Sequence, residues 1–461
     1  MATIERTLWL EHARLADGWH DGVRVAVDAS GRFMQPAAGE AQADDERVSG
    51  HVLPGIPNLH SHAFQRAAAG LTERRHTADG DSFWSWREVV HGFVTRIAPD
   101  QHQAIAAQLY MEMLKAGYTG VGEFHYLHLD PAGRTYDDPA EMSRRCIAAA
   151  DDTGIALTLL PVLYSVGGYD GVEPNPGQRR YILDVLDFCN IVAAMAKESA
   201  SRPHLRVGIA PHSVRQVPAQ QLHESLAAAS EIDRTMPIHI HAAEQVKDVE
   251  AHVAATGARP VEWLLANTGL EGRWCLVHAT HLIEGEVEGL ARSGAVAGLC
   301  PTTEGNLGDG LFPLSAYLAA GGKWGIGSDS HVSVNPVEEL RWLEYGQRLT
   351  TLSRNVAAPG QGGSTGARLL DDALAGGAQA LGQACGAIAE GCSADLIVLD
   401  PEHPALYGRS DEFVVDSWIF GSSEPLARRV MAGGKWVVED GRHVNEEAIT
   451  KAFRKAIAEL T

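Results

Sequence analysis

Eight short apolar segments, each ending in polar residues suited to binding a metal or transferring protons, recur along the middle of this chain. They alternate with alanine-rich stretches of helical character, such as the stretch at about 101–116. Alternating strands and helices are typical of parallel β/α units, and eight units close a (β/α)8 barrel. The segments are HVLPGIPNLHSH, TGVGEFHY, IALTLLPVLY, RVGIAPHS, PIHIHAAE, WCLVHATH, AVAGLCP and KWGIGSDS.

Both ends of the chain have a different pattern, in which short apolar runs are separated by Gly and Asp. From Thr7 to Val52 this pattern indicates small strands and tight turns. The region from Ser393 to Arg442 contains ADLIVLD, SWIFG and RRVMAGGKWVVEDGRHV, which we also interpret as strands. We therefore predict an α/β fold in which 54–385 forms the barrel, while 1–53 and 386–461 combine into one small β domain.

The charge balance and the cysteines narrow the class of protein. A net charge of -21, from 38 basic and 59 acidic residues, argues against binding to nucleic acid or to an anionic membrane. The six cysteines lack the dense spacing of a secreted disulfide framework. Because neither a signal peptide nor a run of about 18 apolar residues is found, we expect a soluble cytoplasmic protein.

The polar residues at the strand ends include donors for a metal ion. His60 and His62 are separated by one residue, so both imidazoles point to the same side of an extended strand. The other candidates at strand ends are His239, His241, Glu244, His278 and Asp329. Imidazole together with carboxylate selects zinc or a similar metal, and a barrel gathers such residues at one face. Four histidines outside these runs are interpreted as ordinary residues: His76, His91, His102 and His223.

The strings PGIPNLHSHAFQR, HIHAAE, LVHAT and GIGSDSH together resemble the amidohydrolase superfamily, and in particular its branch of aminohydrolases that act on C=N bonds. The resemblance covers essentially the whole chain. It implies a distorted (β/α)8 TIM barrel and a small β-sandwich built from both termini. It also implies one zinc ion, or a similar divalent metal, held by His60, His62, His241 and Asp329.

Two features bear on this ligand set. His239 shares a strand with His241 and could compete with it, but the resemblance places the ligand three residues before the glutamate, which is His241. Binuclear relatives carry a bridging lysine after the fourth strand, whereas this chain has Pro161 to Tyr164 in the corresponding region. We therefore expect one metal ion, with a structural role for His239.

Longer strings narrow the substrate. HSHAFQRAAAGLTE, DSFWSWRE, YMEMLKAGYTGVGEFHY and GIGSDSHVSVNPVEELRWLEYGQR resemble members of the branch that hydrolyse N-formimino-L-glutamate in histidine degradation. A dicarboxylate should meet arginines, which bind carboxylates bidentately. Arg215 follows RVGIAPHS, and Arg87 lies in FWSWRE, which we interpret as a loop over the barrel mouth. The resemblance also points to Gln65 and Tyr126 as substrate contacts, and His212 is a further candidate.

The expected reaction yields N-formyl-L-glutamate and ammonia. Asp329 and His278 would accept or stabilise the proton of the attacking water, and Glu244 would pass a proton to the imine nitrogen. One alternative is a deaminase of a heterocyclic amine, such as guanine, cytosine or an adenosine derivative, which would not need paired arginines. A second alternative is a catalytically silent barrel kept as an assembly or regulatory subunit. The resemblance suggests a homodimer.

Overall fold

Four strands at the amino-terminal end begin the fold. The structure is a computed structural model that describes residues 3–75 and 81–460, so His76 lies outside the described residues. The four strands are β1 (Ile4–Leu15), β2 (Gly18–Asp28), β3 (Phe33–Ala38) and β4 (Glu46–Pro54). Their alternating buried and partly exposed side chains are typical of a sheet with one face on a core.

The strands that follow form a parallel barrel, and each coincides with one of the eight predicted segments, although β6 and β8 begin one residue earlier than predicted. They are β5 (Ile56–Ser61), β6 (Tyr118–His125), β7 (Ala156–Leu163), β8 (Leu205–Val207), β9 (Ala210–Pro211), β10 (Ile238–Ala242), β11 (Trp274–His278), β12 (Val296–Leu299) and β13 (Lys323–Ile326). The segment RVGIAPHS is divided between β8 and β9. Bridges from Ile209 to Ile238 and from Ser61 to Asp329 join the two halves and close the ring.

Twelve helices accompany these strands in the described part of the chain, mostly packed around the barrel. They are α1 (Phe83–Val94), α2 (Pro99–Ala116), α3 (Glu141–Thr153), α4 (Val185–Ser199), α5 (Ala219–Ile232), α6 (Val246–Thr256), α7 (Pro260–Asn267), α8 (Glu284–Ser293), α9 (Pro301–Leu307), α10 (Leu314–Ala319), α11 (Pro336–Thr351) and α12 (Thr365–Leu381). The predicted alternation of strand and helix is confirmed, including the helix near 101–116. None of the described helices is long and apolar enough to cross a lipid bilayer.

The centre of the barrel is filled by apolar side chains below the strand ends. Leu59 lies in a fully buried cluster with Cys275, Val277 and Val296. A Cβ added at Gly325 would lie 2.7 Å from the Leu59 side chain, so glycine there leaves room for that residue. These packed apolar side chains fill the barrel interior below the polar residues at the carboxyl ends of the strands.

The carboxyl-terminal elements complete the amino-terminal sheet. They are β14 (Leu396–Leu399), α13 (Asp411–Gly421), β15 (Ala427–Ala432), β16 (Lys435–Glu439), β17 (Arg442–His443) and α14 (Glu446–Leu460). The eight terminal strands form one sheet in the order β17-β16-β15-β14-β4-β1-β2-β3. Because β14 pairs antiparallel with β4, strands from both ends of the chain share this one sheet.

The prediction that SWIFG is a strand was wrong, because this segment lies in α13. A short apolar run is compatible with either a strand or a helix. The whole of α13 shows a helical repeat of buried residues. Val414 and Val415 are followed four positions later by Trp418 and Ile419. That spacing places them on one face of a helix.

Candidate active site

Three histidines converge where the barrel strands end. Nε2 of His60 lies 3.1 Å from Nε2 of His62 and 3.1 Å from Nε2 of His241. Asp329 joins them from β13, with its Oδ1 3.3 Å from His62 Nε2 and 3.6 Å from His60 Nε2. All four side chains are buried. The arrangement brings four donor atoms around one point.

Hydrogen bonds at the other ring nitrogens orient two of these histidines. Nδ1 of His62 donates to the Phe124 carbonyl at 2.9 Å, and Nδ1 of His241 donates to the His212 carbonyl at 3.2 Å. Their Nε2 atoms therefore present lone pairs to the centre of the cluster. Burial, reinforced by the neighbouring histidines, holds the pKa of His60 and of His241 well below its usual range, so both are neutral.

A buried carboxylate that the sequence reasoning did not identify supports the His60 to His62 segment. Glu123 accepts hydrogen bonds from Ser61 Oγ at 2.7 Å and from the Ala63 amide at 2.7 Å. Tyr110 donates to the same carboxylate at 3.1 Å. These contacts fix the end of β5 from behind, which holds both imidazoles in place.

The proposed proton-transfer residues lie beside the cluster. Nε2 of His278 is 3.7 Å from Glu244 Oε1 and 3.7 Å from Asp329 Oδ2. Burial raises the pKa of the Glu244 carboxyl to about 7, and Asp329 adds to the increase although His278 opposes it. The pKa of His278 is raised too, because the carboxylates of Glu244, Glu304 and Asp329 outweigh the effect of burial. Glu244 can therefore hold a proton close to neutral pH.

Two of these residues adopt backbone conformations that are unusual for side chains with a Cβ. His278 has φ 68° and Asp329 has φ 42°, both in the left-handed region. Such conformations cost about 1–3 kcal/mol each and persist only where the surrounding structure holds them. The turns after β11 and β13 therefore aim the two side chains at the cluster at some cost in stability.

A pocket opens above the cluster and is lined by ten of the eleven residues to which the sequence analysis gave a site role. His60 is absent from the lining because it lies at the base, with no exposed surface. The ten are His62, Gln65, Arg87, Tyr126, His212, Arg215, His241, Glu244, His278 and Asp329. Its lining combines aromatic side chains with a few charged groups, which is typical of a small-molecule site.

The two arginines lie near one aromatic ring but differ in their partners. The guanidinium of Arg87 lies 4.5 Å from the centre of the Trp84 ring, and that of Arg215 lies 5.3 Å from it. Arg215 forms a buried ion pair with Asp248. No carboxylate of the residues described lies within ion-pair distance of Arg87, so its charge faces the pocket without a partner.

The interpretation of FWSWRE as a loop was wrong, because these residues begin α1. The helix starts after Ser82, whose amide donates to Ser85 Oγ at 3.0 Å. Its pocket face carries Trp86, Arg87 and His91, so His91, which the sequence analysis interpreted as an ordinary residue, lies in the pocket wall. A helix holds Arg87 over the pocket more rigidly than the predicted loop would.

The remaining candidates form a polar and aromatic wall. Gln65 Nε2 donates to the Tyr126 hydroxyl at 2.8 Å, which leaves the buried Gln65 Oε1 without a hydrogen-bond partner among the described residues. His212 packs edge-on against Tyr164, with 4.6 Å between ring centres. Tyr164 and Tyr181 also line the pocket, and the sequence reasoning missed both. Only the end of the segment IALTLLPVLY could have indicated Tyr164.

Two other histidines lie outside the pocket. Nε2 of His239 is 2.8 Å from the carbonyl oxygen of Ala380, a structural contact to the barrel's last helix. His102 is buried on the outer side of the barrel wall, with Nε2 3.2 Å from Cys146 Sγ. Cys146 in turn lies 3.6 Å from His125 Nδ1, so these three side chains form a small hydrogen-bonded group.

Known proteins resemble this chain over nearly all of its length. The model of the amidohydrolase family matches residues 51–437. The formimidoylglutamate deiminase of Pseudomonas aeruginosa is 49% identical over 454 residues, covering 98% of this chain and 99% of that protein. The 5-methylthioadenosine/S-adenosylhomocysteine deaminase of Natronomonas pharaonis is 26% identical over 435 residues, covering 92% and 91%. The crystal structure of an amidohydrolase from Brucella melitensis matches with a TM-score of 0.93 at 44% identity, covering 99% and 100%.

Proposed function

This chain belongs to the amidohydrolase family, and from that premise we propose that it hydrolyses N-formimino-L-glutamate to N-formyl-L-glutamate and ammonia. It is a hydrolase that acts on a C–N bond of a linear amidine, and the reaction is a step of histidine degradation. The observation that carries the substrate assignment is the Arg87 guanidinium, which has no carboxylate partner among the described residues and shares a pocket with Glu244 and His278. A neutral nucleobase would leave this partly buried positive charge unmatched.

The donor atoms of His60, His62, His241 and Asp329 fit one zinc ion. Tetrahedral zinc with bonds of about 2.0–2.1 Å places neighbouring ligand atoms roughly 3.3 Å apart. The Nε2 and Oδ1 separations around His60 and His62 range from 3.1 to 3.6 Å. When bound, the zinc ion supplies activation of water at neutral pH.

The residues beside the zinc ligands transfer the protons. Water adds to the formimino carbon, and its proton passes to Asp329 and His278, whose Oδ2 and Nε2 atoms lie 3.7 Å apart. Glu244 delivers the proton on its carboxyl to the imine nitrogen as water adds, which turns that nitrogen into an amino group. The proton held by Asp329 and His278 then passes to the amino group as the C–N bond breaks, and the remaining hydroxyl proton returns to Glu244. Ammonia then leaves, and the carbonyl of the N-formyl group remains on the glutamate.

The substrate's two carboxylates bind at the arginine end of the pocket. Arg87 and Arg215 supply charge-assisted hydrogen bonds to them, with Arg215 sharing its charge with Asp248. Gln65, Tyr126 and His212 line the same pocket, where they contact the body of the substrate.

The terminal sheet forms a small β-sandwich, and the domain boundaries fall at 1–53, 54–385 and 386–461. In support, strands from both ends of the sheet order contribute to one apolar core, and the Phe33 amide at the β3 edge donates to the Cys392 carbonyl at 2.9 Å. The sheet therefore curves so that its β3 edge lies beside the segment that leads into β14. Barrel elements run from β5 to α12, between these terminal segments.

The enzyme works as a cytoplasmic homodimer. The cysteines in the described residues are all unpaired, as is usual in a reducing compartment. One face of α11 carries exposed apolar side chains spaced three or four positions apart, namely Trp342, Tyr345 and Leu349, and the exposed Leu352 follows directly after the helix. An exposed apolar stripe of this kind is typical of a protein–protein contact, and a second copy of the chain is the partner we propose.

Ammonia release from the zinc-loaded protein tests the proposed function. We expect rapid release from N-formimino-L-glutamate, with N-formyl-L-glutamate as the second product identified by mass spectrometry. N-formimino-L-aspartate, guanine and cytosine serve as comparison substrates and should release little or none. Release from a nucleobase alone would assign the alternative deaminase activity, and formation of formamide with free glutamate would contradict the proposed bond cleavage.

Removal of the metal tests the assignment of the ligands. A chelator is expected to abolish turnover, and zinc added back should restore it with one equivalent bound per chain. The melting temperature should also fall on chelation, since the lone pairs of three imidazoles then face one another without a cation. Full activity in protein shown by elemental analysis to be free of metal would exclude this site.

A further inference from the structure

A buried carboxylate, Glu304, lies on the other side of the His278 ring from the substrate pocket. It belongs to α9, the short helix that follows β12, and its side chain is buried. Its Oε1 atom lies 3.3 Å from His278 Nδ1 and accepts a hydrogen bond from the Cys300 amide at 2.9 Å. Glu304 is not among the residues that line the pocket, so it does not reach the substrate.

The contact with Glu304 determines which nitrogen of His278 faces the reaction. Because Nδ1 donates its proton to Glu304, Nε2 is the atom directed at Glu244 and Asp329, each 3.7 Å away. A histidine ring has two distinct nitrogens, and a hydrogen bond at one fixes the role of the other. Without Glu304, the ring could rotate or exchange its proton to the wrong nitrogen.

Two further observations indicate that the contact between Glu304 and His278 is specific. Among the described residues, His278 is the only basic side chain within ion-pair distance of Glu304. Burying a carboxylate removes it from water, and this costs free energy that only a close partner can offset. Among the described residues, His278 is the basic partner that does so for Glu304. His278 also has a left-handed backbone, which places its ring where the Glu304 carboxylate can hold it.

We propose that Glu304 is a positioning residue for the hydrolysis: it keeps a proton on Nδ1 of His278 and so reserves Nε2 for proton transfer with Asp329 and Glu244. The inference rests on the proposed function, since it assigns a role within that reaction. It predicts that Glu304 affects the rate of the chemical step and leaves binding of substrate and zinc nearly unchanged.

The chain offers a matched control for this inference. Glu339 is also fully buried and also contacts the start of α9, where it accepts hydrogen bonds from the Thr302 amide at 2.9 Å and the Thr302 hydroxyl at 2.6 Å. Glu339 makes no hydrogen bond to His278 in the described structure. Glu339→Gln therefore reproduces the loss of a buried carboxylate at this helix without altering the histidine.

The test compares Glu304→Leu, Glu304→Gln and Glu339→Gln. Glu304→Leu is expected to lower kcat by about 10–100-fold with KM and zinc content almost unchanged, a loss typical of a partner that orients an active-site histidine. Glu304→Gln keeps a neutral acceptor and should lie between this variant and the wild type. Glu339→Gln should retain the wild-type kcat. Should Glu304→Leu fail to fold, Glu304→Gln measured against Glu339→Gln carries the kinetic test.

Proton NMR of the zinc-loaded, ¹⁵N-histidine-labelled enzyme supplies a readout that a merely structural residue would not change. In the wild type we expect a downfield, slowly exchanging Nδ1–H resonance of His278, assigned by its loss in His278→Asn. It should vanish in Glu304→Leu, move upfield in Glu304→Gln and persist in Glu339→Gln. Because no substrate is present, this result is independent of the substrate assignment. Absence of the resonance from the wild type, or an unchanged kcat in Glu304→Leu, would overturn the inference.

Discussion

Replacing Glu244 with Gln is expected to lower kcat by about 10²–10⁴-fold while the protein stays folded and loaded with zinc. The amide has nearly the same shape as the carboxyl group but has no acidic proton to deliver to the leaving nitrogen. No hydrogen bond to the Glu244 carboxyl is found among the described residues, so the substitution breaks no internal contact of that kind. The effect should therefore fall on turnover and spare stability.

The measurement is steady-state ammonia release, accompanied by elemental analysis and thermal denaturation of the same sample. Glu250→Gln is the control, because Glu250 is exposed on the neighbouring helix α6 and contributes nothing to the pocket. The control should match the wild type in all three measurements. A Glu244→Gln variant with normal kcat would show that another group protonates the imine nitrogen.

Replacing Arg87 with Met is expected to raise KM for N-formimino-L-glutamate by about 30–150-fold, because a hydrogen bond to a charged group contributes about 2–3 kcal/mol. Arg87 has no carboxylate partner in the described structure, so its removal leaves no orphaned charge behind. Zinc content should not change, and kcat should change much less than KM. Arg87 is thus a cleaner probe of carboxylate binding than Arg215.

Arg96→Met provides the control for charge and stacking, since Arg96 lies just beyond the end of α1, exposed, with its guanidinium 5.6 Å from the centre of the Phe93 ring. For Arg215 the matching experiment pairs Arg215→Met with Asp248→Asn, because removing the arginine alone leaves a buried carboxylate unpaired. Equal KM values for wild type and Arg87→Met would place the substrate carboxylates elsewhere.

The positions of the barrel strands, and the polar residues at the strand ends that meet at one face, could be predicted from the sequence because both depend on local pattern. A parallel strand ends at the same face of the barrel as its neighbours, so a polar residue after each apolar run marks that face. His60 and Asp329 belong to strand ends far apart in the chain, β5 and β13, yet this rule alone places them together. No distance between residues had to be known.

Contacts between residues of different β/α units could not be predicted in the same way. The pairing of Arg215 with Asp248 spans 33 positions and depends on how the connection after β9 meets the first turn of α6. The contact of Glu304 with His278 spans 26 positions, and nothing in the segment PTTEGNL distinguishes its glutamate from a surface residue. The start of α1 depends on a local hydrogen bond to the Ser82 amide, which the aromatic composition of FWSWRE obscures.

The pairing of β4 with β14 also affects how the chain is made. Translation completes β4 at Pro54, but its partner begins at Leu396, roughly 340 residues later. At about 5–20 residues per second, the ribosome needs some 17–70 s to deliver that partner. During this interval β4 presents an unpaired strand edge, the kind of surface that recruits other strands and leads to aggregation. Synthesis of the intervening barrel thus takes place beside an unfinished sheet, and chaperones that shield nascent strands should raise the yield of folded enzyme.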